Sequence, residues 1–313
     1  MFRNRALALT LTLLLVVGLL VTGCTSKAPA TTGNGGSQTK TYTFGVSLSG
    51  LNHPFFVDVK TGLDAKAKEL GVNLIVTDAQ DNTSKQISDI EDLITKKVDV
   101  IILNPTDSAA VVPAVEKANA ANIPVVTVDR AANGGKVATH IASDNVAAGK
   151  MAADFIIQAL GGKGKVVELQ GIPGSSAARD RGQGFNDQIK TAAGIEIVAA
   201  QPADFARAKG LSVMENILQA HPDIDAVFGH NDEMVLGAIE AMKSKLAGKK
   251  VVVVGVDAID DAVKAINDGT MAATVGQKPK LMGEMAVENA LKIVKGEKVE
   301  SFIPVPLDLI TKK

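Results

Sequence analysis

The sequence predicts an α/β protein of two similar halves, each a parallel sheet covered by helices, and three observations predict it. The first is a pair of short apolar runs that stop abruptly at charge. Ile123-Pro124-Val125-Val126-Thr127-Val128-Asp129-Arg130 is long enough for one buried strand and too short for a core helix. Lys250-Val251-Val252-Val253-Val254-Gly255-Val256-Asp257 likewise ends at an acid. The second observation is an internal echo. Val98-Asp99-Val100-Ile101-Ile102-Leu103-Asn104-Pro105-Thr106-Asp107 and Ile224-Asp225-Ala226-Val227-Phe228-Gly229-His230-Asn231-Asp232 have the same shape, and each leads through a helical segment to one of those strands. Asp99 to Asp129 spans 30 residues and Asp225 to Asp257 spans 32, which suits one βαβ unit. The third is the alternation of apolar strands and helices along the chain, which argues for parallel sheets covered on both faces. In open α/β sheets ligands bind outside the carboxyl ends of the strands. If the two halves face each other, their polar strand ends converge on one cleft.

Residues 1–23 read as a targeting segment. Arg3 and Arg5 form a charged n-region, and residues 6–21 an apolar core too short for a comfortable membrane span. Val21-Thr22-Gly23-Cys24 resembles the lipobox of bacterial lipoproteins, in which the cysteine is lipidated and becomes the mature N-terminus; an ordinary signal peptide or an uncleaved anchor is the plainer alternative. Cys24 is the only cysteine, and a diacylated cysteine carries the two chains that stable anchoring takes. Residues 24–40, rich in Ala, Thr, Gly and Ser without periodicity, read as a flexible tether.

The fold begins at Thr41. Residues 43–49 form a first strand, residues 50–56 a loop, and residues 57–70 a helix. Pro54 fits a first helical position, where its missing N–H costs nothing, and Gly71 fits a C-cap. Residues 72–77 are a strand. Residues 83–96 are amphipathic, with Ile87, Ile90, Leu93 and Ile94 on one face. The strand from Val98, a helix over residues 108–121 and the strand ending at Asp129 complete the first set. Residues 147–160 form a helix closed by Gly161-Gly162, and residues 165–170 a strand. Residues 171–182 are a loop feeding a helix. A strand at 195–199, a helix at 209–220 and the second echo follow. Residues 271–277 are a strand, 281–295 a helix ending at Gly296, and 304–310 a last extended piece.

Bulk properties narrow the function. A chain of 313 residues holds two domains of ordinary size, and a 46% hydrophobic fraction supplies their cores. The net charge of −1 carries no basic excess for nucleic acid. With no Trp and one Tyr there is no aromatic platform for single strands. One cysteine excludes an intramolecular disulfide and a Cys-based zinc cluster. The four histidines, His53, His140, His221 and His230, lack the HExxH spacing of a metal site. There is no G-x-S-x-G elbow and no Lys-Ser/Thr after the glycines of the 171–182 loop, so that loop is no nucleotide cradle. Strand-end acids without a partnered nucleophile make catalysis the weaker reading.

Two constellations stand out. Asn52-His53-Pro54-Phe55-Phe56 places adjacent rings directly after a strand. They read either as a wall for the apolar face of a sugar, with Asn52 or His53 bonding hydroxyls, or as one core ring and one incidental. Arg179 and Arg181 follow the 171–182 loop; one can reach a ligand and the other cap or pair locally, and a surface salt bridge is the plain reading of each.

Taken together, Ser49-Gly50-Leu51-Asn52-His53-Pro54-Phe55-Phe56, Ile102-Leu103-Asn104-Pro105-Thr106-Asp107-Ser108, Asn122-Ile123-Pro124-Val125 through Asp129-Arg130, His140-Ile141-Ala142-Ser143-Asp144-Asn145, Ser176-Ala177-Ala178-Arg179-Asp180-Arg181-Gly182 and His230-Asn231-Asp232-Glu233-Met234 resemble the ribose-binding proteins of bacterial ABC importers, within the type I periplasmic binding protein fold. The likeness runs from Thr41 to the C-terminus. It implies two Rossmann-like lobes joined by a three-segment hinge near Ser143-Asp144, Gln277-Lys278 and Pro306-Leu307. The N-terminal lobe would hold residues 41–143 and 278–306, the C-terminal lobe 144–277 and 307–313. By matching motif, the first lobe contributes Ser49, His53, Phe55, Phe56, Asp129 and Arg130 to the ligand, and the second Arg181, Phe205, Asn231, Val256, Asp257 and Gln277. The family usually has Asn at the position of His53 and Phe at that of Val256. These departures leave the sugar open among D-ribose, other pentoses or hexoses, and a furanose-like signalling molecule.

The resemblance implies a lipid-anchored receptor that delivers a neutral monosaccharide to a membrane permease. The implied partners are that sugar, the permease and optionally a chemoreceptor. No cofactor, metal or nucleic acid enters, and the protein would act as a monomer. A sugar-sensing repressor core shares the fold but needs a helix-turn-helix where this chain has a signal segment. An exported sugar-modifying enzyme needs a nucleophile, metal or phosphate motif that the sequence lacks.

Overall fold

Two six-stranded sheets carry the chain. A computed structural model describes residues 40–246 and 248–312. The expected signal segment (1–23), the lipidation site Cys24 and the tether up to residue 39 lie outside the described residues. The first lobe opens with β1 (Thr43–Leu48), α1 (Pro54–Leu70), β2 (Asn73–Asp78), α2 (Thr83–Thr95), β3 (Val100–Leu103), α3 (Val112–Ala120), β4 (Val125–Val128) and β5 (Val137–Ala142). The second holds α4 (Asn145–Ala159), β6 (Lys163–Gln170), α5 (Ser176–Ile189), β7 (Gly194–Pro202), α6 (Arg207–Ala220), β8 (Ala226–Gly229), α7 (Asp232–Lys245), β9 (Val252–Asp257), α8 (Asp260–Asp268) and β10 (Ala273–Gly276). Then α9 (Pro279–Val294) and β11 (Phe302–Pro304) return to the first lobe, and β12 (Asp308–Thr311) ends in the second.

The strand orders are β2-β1-β3-β4-β5-β11 and β7-β6-β8-β9-β10-β12. They are the same order, so the internal echo is structural. Asp99 and Asp225 occupy matching places. Each carboxylate accepts from a backbone N–H of the neighbouring strand, Thr43 at 2.8 Å and Lys165 at 2.9 Å. In both sheets the order reverses beside the first strand, the switch point where α/β sheets take ligands. The first sheet is wholly parallel. The second is mixed, because β12 pairs antiparallel to β10. The two α/β lobes are as expected, with this one antiparallel edge strand added, because β12 arrives by a short crossing instead of a helical crossover. The chain passes between the two sheets three times, after β5, after β10 and after β11.

Each sheet is covered on both faces by apolar clusters. Phe44, Val46, Leu63 and Met282 represent one face of the first sheet and Ile90, Leu93, Ile101 and Val115 the other. In the second lobe Met214, Val227, Met234 and Val253 stand against Ile156, Phe185, Phe228 and Val254. Three helix pairs, α1 with α9, α4 with α5 and α6 with α7, cross where glycines face backbone. A Cβ on Gly62 would lie 2.0 Å from Lys280 O, on Gly149 2.0 Å from Arg181 O, and on Gly237 2.0 Å from Arg207 O. None of these glycines was singled out in the sequence, although an isolated Gly inside a helical pattern is a signal of close packing.

Several elements differ from expectation. β5 was not anticipated: in Val137-Ala138-Thr139-His140-Ile141-Ala142 the polar Thr139 and His140 mask the strand, and Thr127 Oγ1 bonds His140 Nδ1 at 2.9 Å inside the sheet. α8 was also missed; it is nine residues long and opens on Asp260-Asp261. α5 begins at Ser176, within the stretch read as loop, and α1 begins at Pro54, so Phe55 and Phe56 form its first turn. The last extended piece is two strands in different sheets. Among the described residues no helix is long and apolar enough to cross a membrane, and no group of three or more His, Cys, Asp or Glu could hold a metal ion.

Candidate binding cleft

The strand-end acids sit on unusual backbone. Asp129 follows β4 with φ 63°, and Asp257 ends β9 with φ 122° before Ala258 at φ 61°. Positive φ is rare for residues with a Cβ and concentrates at functional sites. The Asp129 N–H donates to Ile141 O at 2.8 Å, tying that turn to β5. Both side chains are buried.

They face one narrow cavity that the two lobes line together. The first lobe lines it with His53, Phe55, Phe56, Asp129 and Arg130, and the second with Ala177, Arg181, Phe205, Asn231, Asp257 and Gln277. Ten of the twelve sequence-predicted residues therefore come together. Two lie elsewhere. Ser49 is buried at the end of β1, where its N–H donates to Asn104 Oδ1 at 3.2 Å and its hydroxyl makes no hydrogen bond. Val256 points into the core with Ala148, Ile156 and Phe185. Ala177 was missed, since a methyl group carries no chemical signal in a sequence.

The two rings after β1 are both buried, meet edge-to-face at 5.3 Å, and belong to cleft and core alike. The arginine pair also resolves. Arg179 is exposed and bonds its neighbour Asp180 at 2.9 Å. Arg181 is buried; it donates Nε–H to Asn145 Oδ1 at 2.8 Å and Nη1–H to His230 O at 2.6 Å, with Asp257 Oδ1 3.9 Å from Nη1. Arg130 rests on two rings, its Cζ 5.0 Å from the centroid of Phe56 and 5.1 Å from that of Phe205. Its Nη1 donates to Pro105 O at 3.4 Å, Nε makes no hydrogen bond, and Asp129 Oδ2 is 3.8 Å away.

Burial pushes the Asp257 carboxyl up to about 7, against the pull of Arg181 and the hydrogen bond from Gln277 Nε2 at 2.7 Å. Burial also pushes Arg130 down, against the field of Asp129. Gln277 Oε1 is buried without a hydrogen bond. Asn231 caps α7, its Oδ1 accepting from Met234 N–H at 3.1 Å while Nδ2 donates to Phe205 O at 3.1 Å. Each lobe thus presents a carboxylate, a guanidinium and at least one ring to the same space.

The lobes also touch directly. Ser108 N–H donates to Gly174 O at 3.0 Å, Ser176 N–H to Ser108 Oγ at 3.2 Å, and Ala131 N–H to Ser176 Oγ at 2.8 Å. These three bonds latch the ends of β3 and β4 to the start of α5, and nothing in the sequence pattern announced them.

Comparison with known proteins places this geometry. Residues 44–298 match the family described as the periplasmic binding protein domain. The ribose import binding protein of Bacillus subtilis is 50% identical over 312 residues, 99% of this chain and 100% of that protein. Its counterpart in Escherichia coli is 50% identical over 272 residues, 87% and 91% of the two chains. An ABC transporter solute binding protein from Bacillus halodurans, solved with myo-inositol, has a TM-score of 0.83 at 31% identity, covering 88% of this chain and 96% of that one. A periplasmic solute binding protein from Actinobacillus succinogenes, solved with D-allose, has a TM-score of 0.81 at 32% identity, covering 87% and 98%.

Proposed function

Since the chain belongs to the periplasmic binding protein family, we propose that it is the extracytoplasmic receptor of an ABC sugar importer and that it carries D-ribose to the permease. One observation supports this best: acids, guanidiniums and rings from two lobes converge on a single small cavity. The 50% identity to the ribose import binding proteins of two bacteria, over 99% and 87% of this chain, supports the choice of sugar.

The chemistry follows from the lining. The carboxylates of Asp129 and Asp257 accept from sugar hydroxyls, and Arg130 and Arg181 donate in fixed forks. Phe55, Phe56 and Phe205 cover the C–H faces of the ring. A dry site built to bond hydroxyls rejects analogues that lack them, at about 1–3 kcal/mol for each group left unpaired. Arg181 is held in place by Asn145 and by His230 O before any sugar arrives. The lobes hinge on their three crossings, and closure buries the sugar and forms the shape a permease recognises. Asn231 and Gln277 complete the second lobe's contacts, and His53 those of the first.

Calorimetric titration with ribose and a panel of pentoses and hexoses tests the reading; absence of ribose binding refutes the choice of sugar. Asp129→Ala and Arg181→Ala abolish binding while leaving the thermal transition in place, and unchanged affinity in both would remove the site assignment. The receptor returns its sugar unaltered, so any product after prolonged incubation argues for an enzyme. We further propose that it works as a monomer tethered through lipidated Cys24; Cys24→Ser then moves from the membrane fraction to the soluble one.

A further inference from the structure

One lining residue is held from behind. His53 Nε2 lies 3.1 Å from Asp81 Oδ2. His53 is the N-cap of α1, but its ring does not cap the helix, and among the described residues the carboxylate is the ring's hydrogen-bond partner. Asp81 reaches it through a constrained turn after β2. Gln80 and Asp81 are consecutive left-handed residues at φ 54° and 55°. Asp81 N–H donates to Ser49 O at 2.6 Å. Asp78 Oδ1 accepts from Leu51 N–H at 3.1 Å and from Gln80 N–H at 3.0 Å, stitching the exits of β1 and β2 together. Gly50 makes room, since a Cβ there would lie 3.0 Å from both Asp81 oxygens.

Burial pushes the Asp81 carboxyl up, but the hydrogen bond and charge of His53 and the field of Arg130 outweigh it and leave the group below its ordinary value. An ionised carboxylate only accepts, so Nε2 carries the proton, and a neutral ring then keeps its lone pair on Nδ1.

We infer that Asp81 is a positioning residue that fixes the tautomer of His53, so that His53 meets the ligand as a hydrogen-bond acceptor and the cleft selects a sugar that presents a hydroxyl hydrogen there. The ligand class rests on the function proposed above; the tautomer does not. Both residues belong to the first lobe, so the arrangement persists whether the lobes are open or closed. It extends the character of the site: Asp129, Asp257 and Gln277 Oε1 accept, while the fixed donors are the two arginines. A fluorine or a methoxy oxygen at the matching position has no hydrogen to give and leaves Nδ1 unpaired.

The test uses the full chain with ¹⁵N-labelled histidine at about pH 8.5, above the ordinary imidazole range, without sugar; His53→Asn identifies the resonances. The parent shows the Nε2-protonated ring, and Asp81→Asn releases it to a mixture of tautomers. In calorimetry Asp81→Asn weakens ribose binding roughly tenfold, the scale of one disturbed buried hydrogen bond. In the His53→Asn background the same change alters affinity by less than about twofold, as expected when one residue acts through the other. An Nδ1-protonated ring in the parent overturns the inference. So does an equal loss from Asp81→Asn with and without His53, or no loss at all. If the parent fails to bind ribose, the proposed ligand falls, and the tautomer measurement still decides the role of Asp81.

Discussion

Replacing Ser176 with alanine separates the energy of closure from that of sugar binding. Its hydroxyl accepts from Ala131 N–H across the cleft at 2.8 Å, and the side chain is buried. Alanine deletes this acceptor and keeps the neighbouring bond from Ser176 N–H to Ser108 Oγ. When the lobes part, both the hydroxyl and the amide reach water, so the open form is nearly indifferent to the change. The closed form loses about 1 kcal/mol for a neutral bond, rising to about 3 kcal/mol if Ala131 N–H stays buried without a partner. Binding and closure are one equilibrium, so the loss appears in affinity. It amounts to about fivefold in Kd at the lower figure and about 150-fold at the upper. Calorimetric titration at 25 °C measures it, and thermal unfolding of the ligand-free protein is the control, expected to move by less than about 2 °C. Affinity within twofold of the parent would refute the latch as a source of closure energy. An equal loss of ligand-free stability would place the bond in the open protein as well. Ser108→Ala, which removes the acceptor of Ser176 N–H, acts in the same direction.

Three further outcomes follow from the geometry. Arg130→Lys replaces a plane that lies over Phe56 and Phe205 with a compact ammonium, and sugar affinity falls about tenfold or more by titration, from lost stacking and a lost fork. Gly149→Ala drives a Cβ to 2.0 Å from Arg181 O and 2.7 Å from Phe185 N; urea unfolding registers a loss of about 1–3 kcal/mol, and sugar affinity falls with it because α5 carries Arg181. Asp257 is held at about 7, above the ordinary 3.8, so the folded protein keeps this proton where the unfolded chain has released it. The stability it contributes is greatest below about pH 4 and is lost as the pH rises to 7, at no more than about 1.4 kcal/mol per unit. Urea unfolding of parent and Asp257→Asn at several pH values checks the sign: the parent loses stability relative to the variant as the pH rises from about 4 to 7, and a constant difference, or one that moves the other way, contradicts it.

The sequence disclosed the frame of the site better than its supports. Strands that stop at charge are visible because β-branched runs and acids differ sharply in composition, and Asp129 and Asp257 do stand where such strands end. The motif resemblance brought in Phe205 and Gln277, which no local pattern marks. What stayed hidden depends on packing between distant segments. Asp81 reaches His53 from the exit of another strand. Ser108 and Ser176 meet only because the lobes face each other. β5 looked polar because Thr139 and His140 are paired inside the sheet or buried there, a tertiary circumstance that strand propensity does not carry. Val256 illustrates the reverse error: its neighbour reaches the cleft, but a strand turns successive side chains to opposite faces, and the valine falls to the core.

The three passages of the chain from one sheet to the other all leave from one border of each sheet, that of β5 with β11 and of β10 with β12. A gate pinned along one post swings least at the post and most at its free margin. Here the free margins are β2 and β7, at the far border of each sheet. The turn after β2 that bears Asp81 therefore lies at the border farthest from the crossings, where any parting of the lobes is widest.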